Sequence, residues 1–188
     1  MRRIFRALLF WTLILSACSI SVASPQTIPP STTEAPVSIP TTAVPPNPQD
    51  CGYQWATQAL PELSSSFQGS IQALQPEAQA NAYAFGENCM LADGSNGGFG
   101  AMETDFKVTL NVSDLTNEVE LGEWIVKVMQ VITAIPKDQI AGPQPGRVTI
   151  AFQSNGNQQV INFYINQYQA LSPGLSDSEI YQALQTPQ

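Results

Sequence analysis

Residues 147–166 read RVTIAFQSNGNQQVINFYIN, and this stretch decides the fold class. Val148, Ile150 and Phe152 alternate with Arg147, Thr149 and Ala151, so one face is apolar. Ser154-Asn155-Gly156-Asn157 follows. Asn-Gly is the strongest short hairpin signal, because a type I′ turn needs positive φ at both central positions. Gln159–Asn166 then returns with Ile161, Phe163 and Ile165 inward. The stretch predicts an antiparallel hairpin with one buried face and one wet face.

The same alternation runs through Met102–Val112 (METDFKVTLNV). Phe106, Val108, Leu110 and Val112 are expected in the core, with Glu103, Asp105, Lys107, Thr109 and Asn111 in water. Asn81–Met90 reads as another strand, with Tyr83 and Phe85 alternating with Ala82 and Ala84. Residues 92–101 hold four glycines and read as a flexible loop. Two longer segments have a helical period instead. One is about 61–75, with Leu63, Phe67, Ile71 and Leu74 on one side, Pro61 at its start and Pro76 after it. The other is 117–135, with Leu121, Trp124, Ile125, Val128, Val131, Ile132 and Ile135; it begins at Asn117 with Glu120 three residues on, and Pro136 ends it. Ser176-Asp177-Ser178-Glu179 matches a capping box ahead of a short terminal helix.

The element order is thus αββ-αββ-α. It predicts an α+β fold: a four-stranded antiparallel sheet with helices packed on one face. Trp124, Phe67, Phe106, Phe152 and Phe163 are the expected core. The opposite sheet face, with Glu103, Asp105, Lys107, Thr149, Asn162 and Tyr164, is the candidate binding face.

Charge and proline are unevenly placed. The 188 residues carry seven bases, fifteen acids and no histidine. Arg2, Arg3 and Arg6 lie at the N-terminus, and past them four bases face fifteen acids, a net charge of −11. Such a chain is too acidic for duplex nucleic acid, which needs clustered Lys and Arg to replace counterions. Without histidine there is no Ser-His-Asp triad, Cys-His pair or imidazole metal site. Eight of the fifteen prolines fall between Pro25 and Pro48. Residues 19–49 are otherwise Ser, Thr and short aliphatics, and no helix or strand period survives that composition. They read as a polyproline-biased stalk with a reach on the order of 90–100 Å.

Residues 1–18, MRRIFRALLFWTLILSAC, combine a basic opening, the apolar run Ala7–Leu15 and then small residues, which is a secretory signal pattern. The apolar run is shorter than the roughly 20 residues a transmembrane helix needs. Leu15-Ser16-Ala17-Cys18 resembles the lipobox of bacterial lipoproteins. The resemblance implies removal of residues 1–17, lipidation of Cys18 and a chain anchored outside the cytoplasmic membrane, facing the exterior or the periplasm. An ordinary secretory signal cut near Ala23 is the other reading of the pattern. With Cys18 assigned to lipid, Cys51 and Cys89 remain as the expected disulfide of a single domain at 50–188.

Few constellations carry chemistry. Glu87, Asp93, Glu103 and Asp105 surround the glycine-rich segment, and Glu103 with Asp105 is the pair a hydrolase would use. Asp93–Gly98 resembles the start of a calcium loop, but position twelve is Thr104, where an acid is required. The glycines precede no Gly-Lys-Ser/Thr, so no phosphate cradle is read. Tyr53, Trp55, Tyr164 and Tyr168 are candidates for a sugar- or peptide-binding platform. No residue pattern asks for a metal or cofactor. The expected function is therefore that of a membrane-anchored lipoprotein bearing a non-enzymatic binding or scaffolding domain, with an unidentified protein or polymer as partner. A carboxylate-dependent hydrolase of an envelope or extracellular polymer is the main alternative. A small ligand-delivery lipoprotein ranks below it, because about 135 residues leave no room for two lobes.

Overall fold

The computed structural model describes residues 51–185; the leader, Cys18, the proline-rich segment and residues 186–188 lie outside the described residues. The elements are β1 (Gly52–Ala59), α1 (Pro61–Leu74), β2 (Gln79–Met90), β3 (Asn96–Asn111), α2 (Glu118–Thr133), β4 (Arg147–Ser154), β5 (Asn157–Tyr164), α3 (Ile165–Gln169) and α4 (Asp177–Gln185), with a 3₁₀ turn at Lys137–Gln139. The fold is α+β. The strands stand in chain order, β1-β2-β3-β4-β5, in one mixed sheet.

Two expectations about the sheet are corrected. It has five strands, because β1 precedes the first helix. None of its residues is buried, so it lacks the apolar alternation that marks a strand in sequence. And the sheet is not wholly antiparallel: β3 and β4 run parallel, Phe106 beside Val148 and Leu110 beside Phe152. A parallel pair needs a crossover, which α2 and the segment after it supply. The expected loop at 92–101 also contracts. A turn remains at about residues 91–95, and Asn96–Ala101 already pairs with β2, since ladder hydrogen bonds need no side chain.

The hairpin of β4 and β5 matches its sequence signal. Arg147 pairs with Tyr164 at one end and Ser154 with Asn157 at the other. Asn155 and Gly156 supply φ of 51° and 78°. Strand β5 stops at Tyr164, and Ile165, expected to continue it, begins α3.

One core unites the helices with one sheet face. Leu63, Phe67 and Ile71 of α1 and Leu121, Ile125, Val128 and Met129 of α2 pack with Phe106, Val108, Leu110, Val148, Ile150, Phe152, Ile161 and Phe163. Phe67 meets Phe106 edge-on at 5.1 Å. Trp124, expected in this core, is only partly buried at its rim, with Lys127 4.6 Å from its ring centroid. In β2 the small Ala82 and Ala84 face the core, leaving room for α1 to approach. The Ser64 hydroxyl donates to the Ala82 carbonyl (2.8 Å) and accepts from its N–H (3.0 Å). Gln68 likewise donates to the Ala78 carbonyl and accepts from the Ala80 N–H. Side chains of α1 therefore cover the edge of β2 where β1 ends.

Candidate functional site

Strand parity places Tyr53, Trp55, Tyr83, Phe85, Glu103, Asp105, Lys107, Arg147, Thr149, Asn162 and Tyr164 on the sheet face away from the core. All six residues expected on a binding face share it. The register sorts its centre into two rungs across the sheet. One runs Tyr83–Asp105–Arg147–Tyr164, and the next runs Asn81–Lys107–Thr149–Asn162.

Asp105 is the hub of the first rung. Its Oδ1 accepts the backbone N–H of Arg147 at 2.7 Å. The Tyr83 hydroxyl and the Glu103 carboxyl lie within electrostatic reach of its carboxylate. The Arg147 guanidinium donates to the Tyr164 hydroxyl at 2.9 Å and lies 5.2 Å from that ring's centroid. In the second rung the Lys107 ammonium stands 4.9 Å from the Tyr83 ring centroid, and the Thr149 hydroxyl donates to the Asn162 side-chain oxygen at 2.8 Å. Both cations of the face thus rest against aromatic rings.

Glu103 and Asp105 were expected in open solvent, and this is corrected: they are only 7% and 6% exposed. The chain between Ala141 and Gly146 runs along the middle of β3, beside Met102–Asp105, and walls them in. The Gln144 N–H donates to the Met102 carbonyl at 2.9 Å, and the Thr104 hydroxyl bonds to both backbone groups of Ala141. Gly146 makes the approach possible, because a Cβ there would lie 1.7 Å from the Thr104 carbonyl oxygen. Desolvation, followed by the charge of Asp105, raises the Glu103 carboxyl above the ordinary glutamate range, and Arg147 offsets part of this. Burial and then Asp105 likewise raise the Tyr83 hydroxyl.

The N-terminal end of the face is aromatic. Trp55 stacks on Phe85 with centroids 5.3 Å apart and planes 11° apart. Trp55 remains 61% exposed and Tyr53 71% exposed. Of the four candidate platform aromatics, Tyr53, Trp55 and Tyr164 share the face, whereas Tyr168 sits on α3 against the core. Cys51 and Cys89 form the expected disulfide, with Cα atoms 4.9 Å apart, and tie the start of β1 to the end of β2.

The candidate calcium loop folds as a local turn. Asp93 Oδ1 accepts from the Ser95 N–H and hydroxyl, and Asn96 Oδ1 accepts from the Gly98 N–H. Among the described residues no three His, Cys, Asp or Glu side chains gather as a metal site would require. A cavity of about 380 Å³, lined by Thr104, Phe106, Ile132, Ile140 and Gly142, opens on the helix side of the sheet, away from Glu103 and Asp105. No described helix is long and apolar enough to cross a membrane.

Sequence reasoning missed Arg147, Tyr83 and Phe85 as members of the face. Parity carried the signal for Arg147, which lies opposite in phase to Val148 and two residues from Thr149. For Tyr83 and Phe85 the alternation with alanine was visible, but the bulky partner of such a pair usually points inward. No protein family, curated protein or solved structure matches the chain.

Proposed function

We propose that this chain is a lipid-anchored recognition module, held outside the cytoplasmic membrane through Cys18, whose open sheet face binds an envelope or extracellular partner. The observation that carries the reading is the make-up of that face. Tyr53 and Trp55 stay exposed beside a cluster in which Lys107, Arg147 and Tyr164 are fixed in place by aromatic and hydrogen-bond contacts. Large aromatics with a polar handle and a positioned arginine are what binding surfaces use, because they give contact area at low entropic cost. A lipid anchor and a proline-rich spacer suit a domain that must meet a partner away from the bilayer.

The test has two arms. A labelled fatty acid fed to the expressing cells is expected to mark the chain and to be absent from Cys18→Ser; equal labelling of both would defeat the anchor. For the face, envelope components retained by the unaltered chain are expected to be lost by the double variant Lys107→Glu, Tyr164→Ala. Retention by both would place recognition elsewhere.

A carboxylate-dependent hydrolase is the second reading, favoured by the shared burial of Glu103 and Asp105. Their geometry weighs against the glycosidase form of it. Both acids project to the same side of one strand, two residues apart, whereas a glycosidase sets its two carboxyl groups on either side of the scissile bond. Loss of polymer hydrolysis in Glu103→Gln would restore the enzyme reading.

A further inference from the structure

We infer that the free edge of β1 pairs with β1 of a second copy, joining two sheets into one across a two-fold axis at Trp55. Strand β1 is an edge strand of eight residues, GYQWATQA, exposed at every position but the half-buried Ala56. Folded chains guard such edges with charges, prolines, bulges or covering elements. β1 has no charge and no proline, and its register with β2 runs from Gly52–Met90 to Ala59–Tyr83 without a bulge. The contrast with the edge of β2 is direct, since α1 covers that edge with Ser64 and Gln68.

The chain's own preceding segment is a poor occupant. Pro45, Pro46 and Pro48 lack the N–H that a ladder requires. A second copy fits on three counts. Residues 51–185 carry thirteen acids and four bases, so most contacts between copies are repulsive, but the β1 edge sets no charge opposite a charge. Keeping both open faces on one side of the joined sheet requires odd residues to oppose odd residues. The central register of that kind sets Trp55 against Trp55 of the other copy and Tyr53 against Thr57. Aromatic and β-branched cross-strand pairs are favourable ones. Finally, copies anchored through Cys18 share one surface, which confines their β1 edges to a common layer. The contact is small, on the order of 1,000 Å², and confinement by a common membrane supplies the effective concentration it needs. In that respect the pairing rests on the anchored reading given above.

The test uses the full-length chain in its own membranes. Trp55→Cys is expected to give a disulfide-linked dimer on mild oxidation, whereas Asn162→Cys on the opposite edge strand gives none. No dimer from Trp55→Cys, an equal yield from both positions, or a link to a different protein would each overturn the proposal. A second measurement covers misfolding of the cysteine variant. In detergent, the unaltered chain is expected to show a concentration-dependent monomer–dimer equilibrium. Trp55→Lys, which sets two ammonium groups face to face, should sediment as monomer with an unchanged circular dichroism spectrum. A monomer at all concentrations in the unaltered chain, or unaltered pairing in Trp55→Lys, is the contrary result. Loss of fatty-acid labelling together with a persistent Trp55→Cys dimer would sink the anchor and leave the pairing standing.

Discussion

Glu103 and Asp105 occupy the position where two adjacent carboxylates ought to repel, on a strand face that would otherwise leave them in water. The segment 141–146 packs along this part of β3, Asp105 accepts the Arg147 backbone N–H, and burial together with the Asp105 charge raises the Glu103 carboxyl. Glu103 therefore keeps its proton in the folded chain at pH values where the unfolded chain has lost it. Across that window the folded state binds more protons, so its stability falls as pH rises from the ordinary glutamate value through the raised one. Glu103→Gln keeps the size of the side chain and removes the titration. Above the window it is expected to be more stable than the parent, with the difference vanishing in acid. Denaturant unfolding at pH 4 and pH 8 checks this; an equal loss of stability at both would mean that the Glu103 carboxyl is not raised in the folded chain. None of this was legible in the sequence. Alternation correctly gave the face both acids point to, but burial came from a loop some forty residues on, whose approach depends on Gly142 and Gly146.

Elements were legible where local rules and tertiary packing agree. The 147–164 hairpin was plain because Asn155-Gly156 and the apolar alternation demand the same register. Helix α4 was legible from its cap: Ser176 accepts from the Glu179 N–H, and Glu179 accepts from the Ser176 N–H at 2.8 Å. In α2 only half of the expected box forms. The Asn117 side chain accepts from the Glu120 N–H at 3.3 Å, while Glu120 turns to the Ser113 N–H at 2.9 Å. Strand β1 was hidden because an exposed edge strand has no buried face to print on its sequence. Gly122 was hidden for the opposite reason. Inside a helix it looks like a flaw, yet a Cβ there would lie 1.8 Å from the carbonyl oxygen of Asp177, at the N-terminus of α4. Gly122→Ala raises helix propensity but forces α4 away from α2. It is expected to destabilise the fold by about 1–3 kcal/mol, measured as a lower denaturation midpoint. A midpoint raised by the gain in propensity would show that α4 is not held at this crossing.

At the level of the whole chain, stability is unevenly distributed. The core is built from α1, α2, α4 and the inner faces of β2 to β5, whereas β1 contributes no buried residue to it. Strand β1 is held instead by its ladder to β2, by the Trp55–Phe85 stack and by the Cys51–Cys89 bond. A bond closing a loop of 38 residues is worth about 3–4 kcal/mol when unfolding is all-or-none. That figure is an upper bound here, because a strand with nothing buried can detach while the core stays folded. With both cysteines replaced by serine, the amides of Gly52–Ala59 are expected to exchange through a local opening, while those of β4 and β5 keep the protection of global unfolding. Native-state hydrogen exchange separates the two cases. If β1 and β4 lose protection together and equally, β1 is part of the cooperative core. If β1 alone loosens, the disulfide serves chiefly to keep an exposed, uncharged edge in register, which is the condition that edge must meet to pair with another strand.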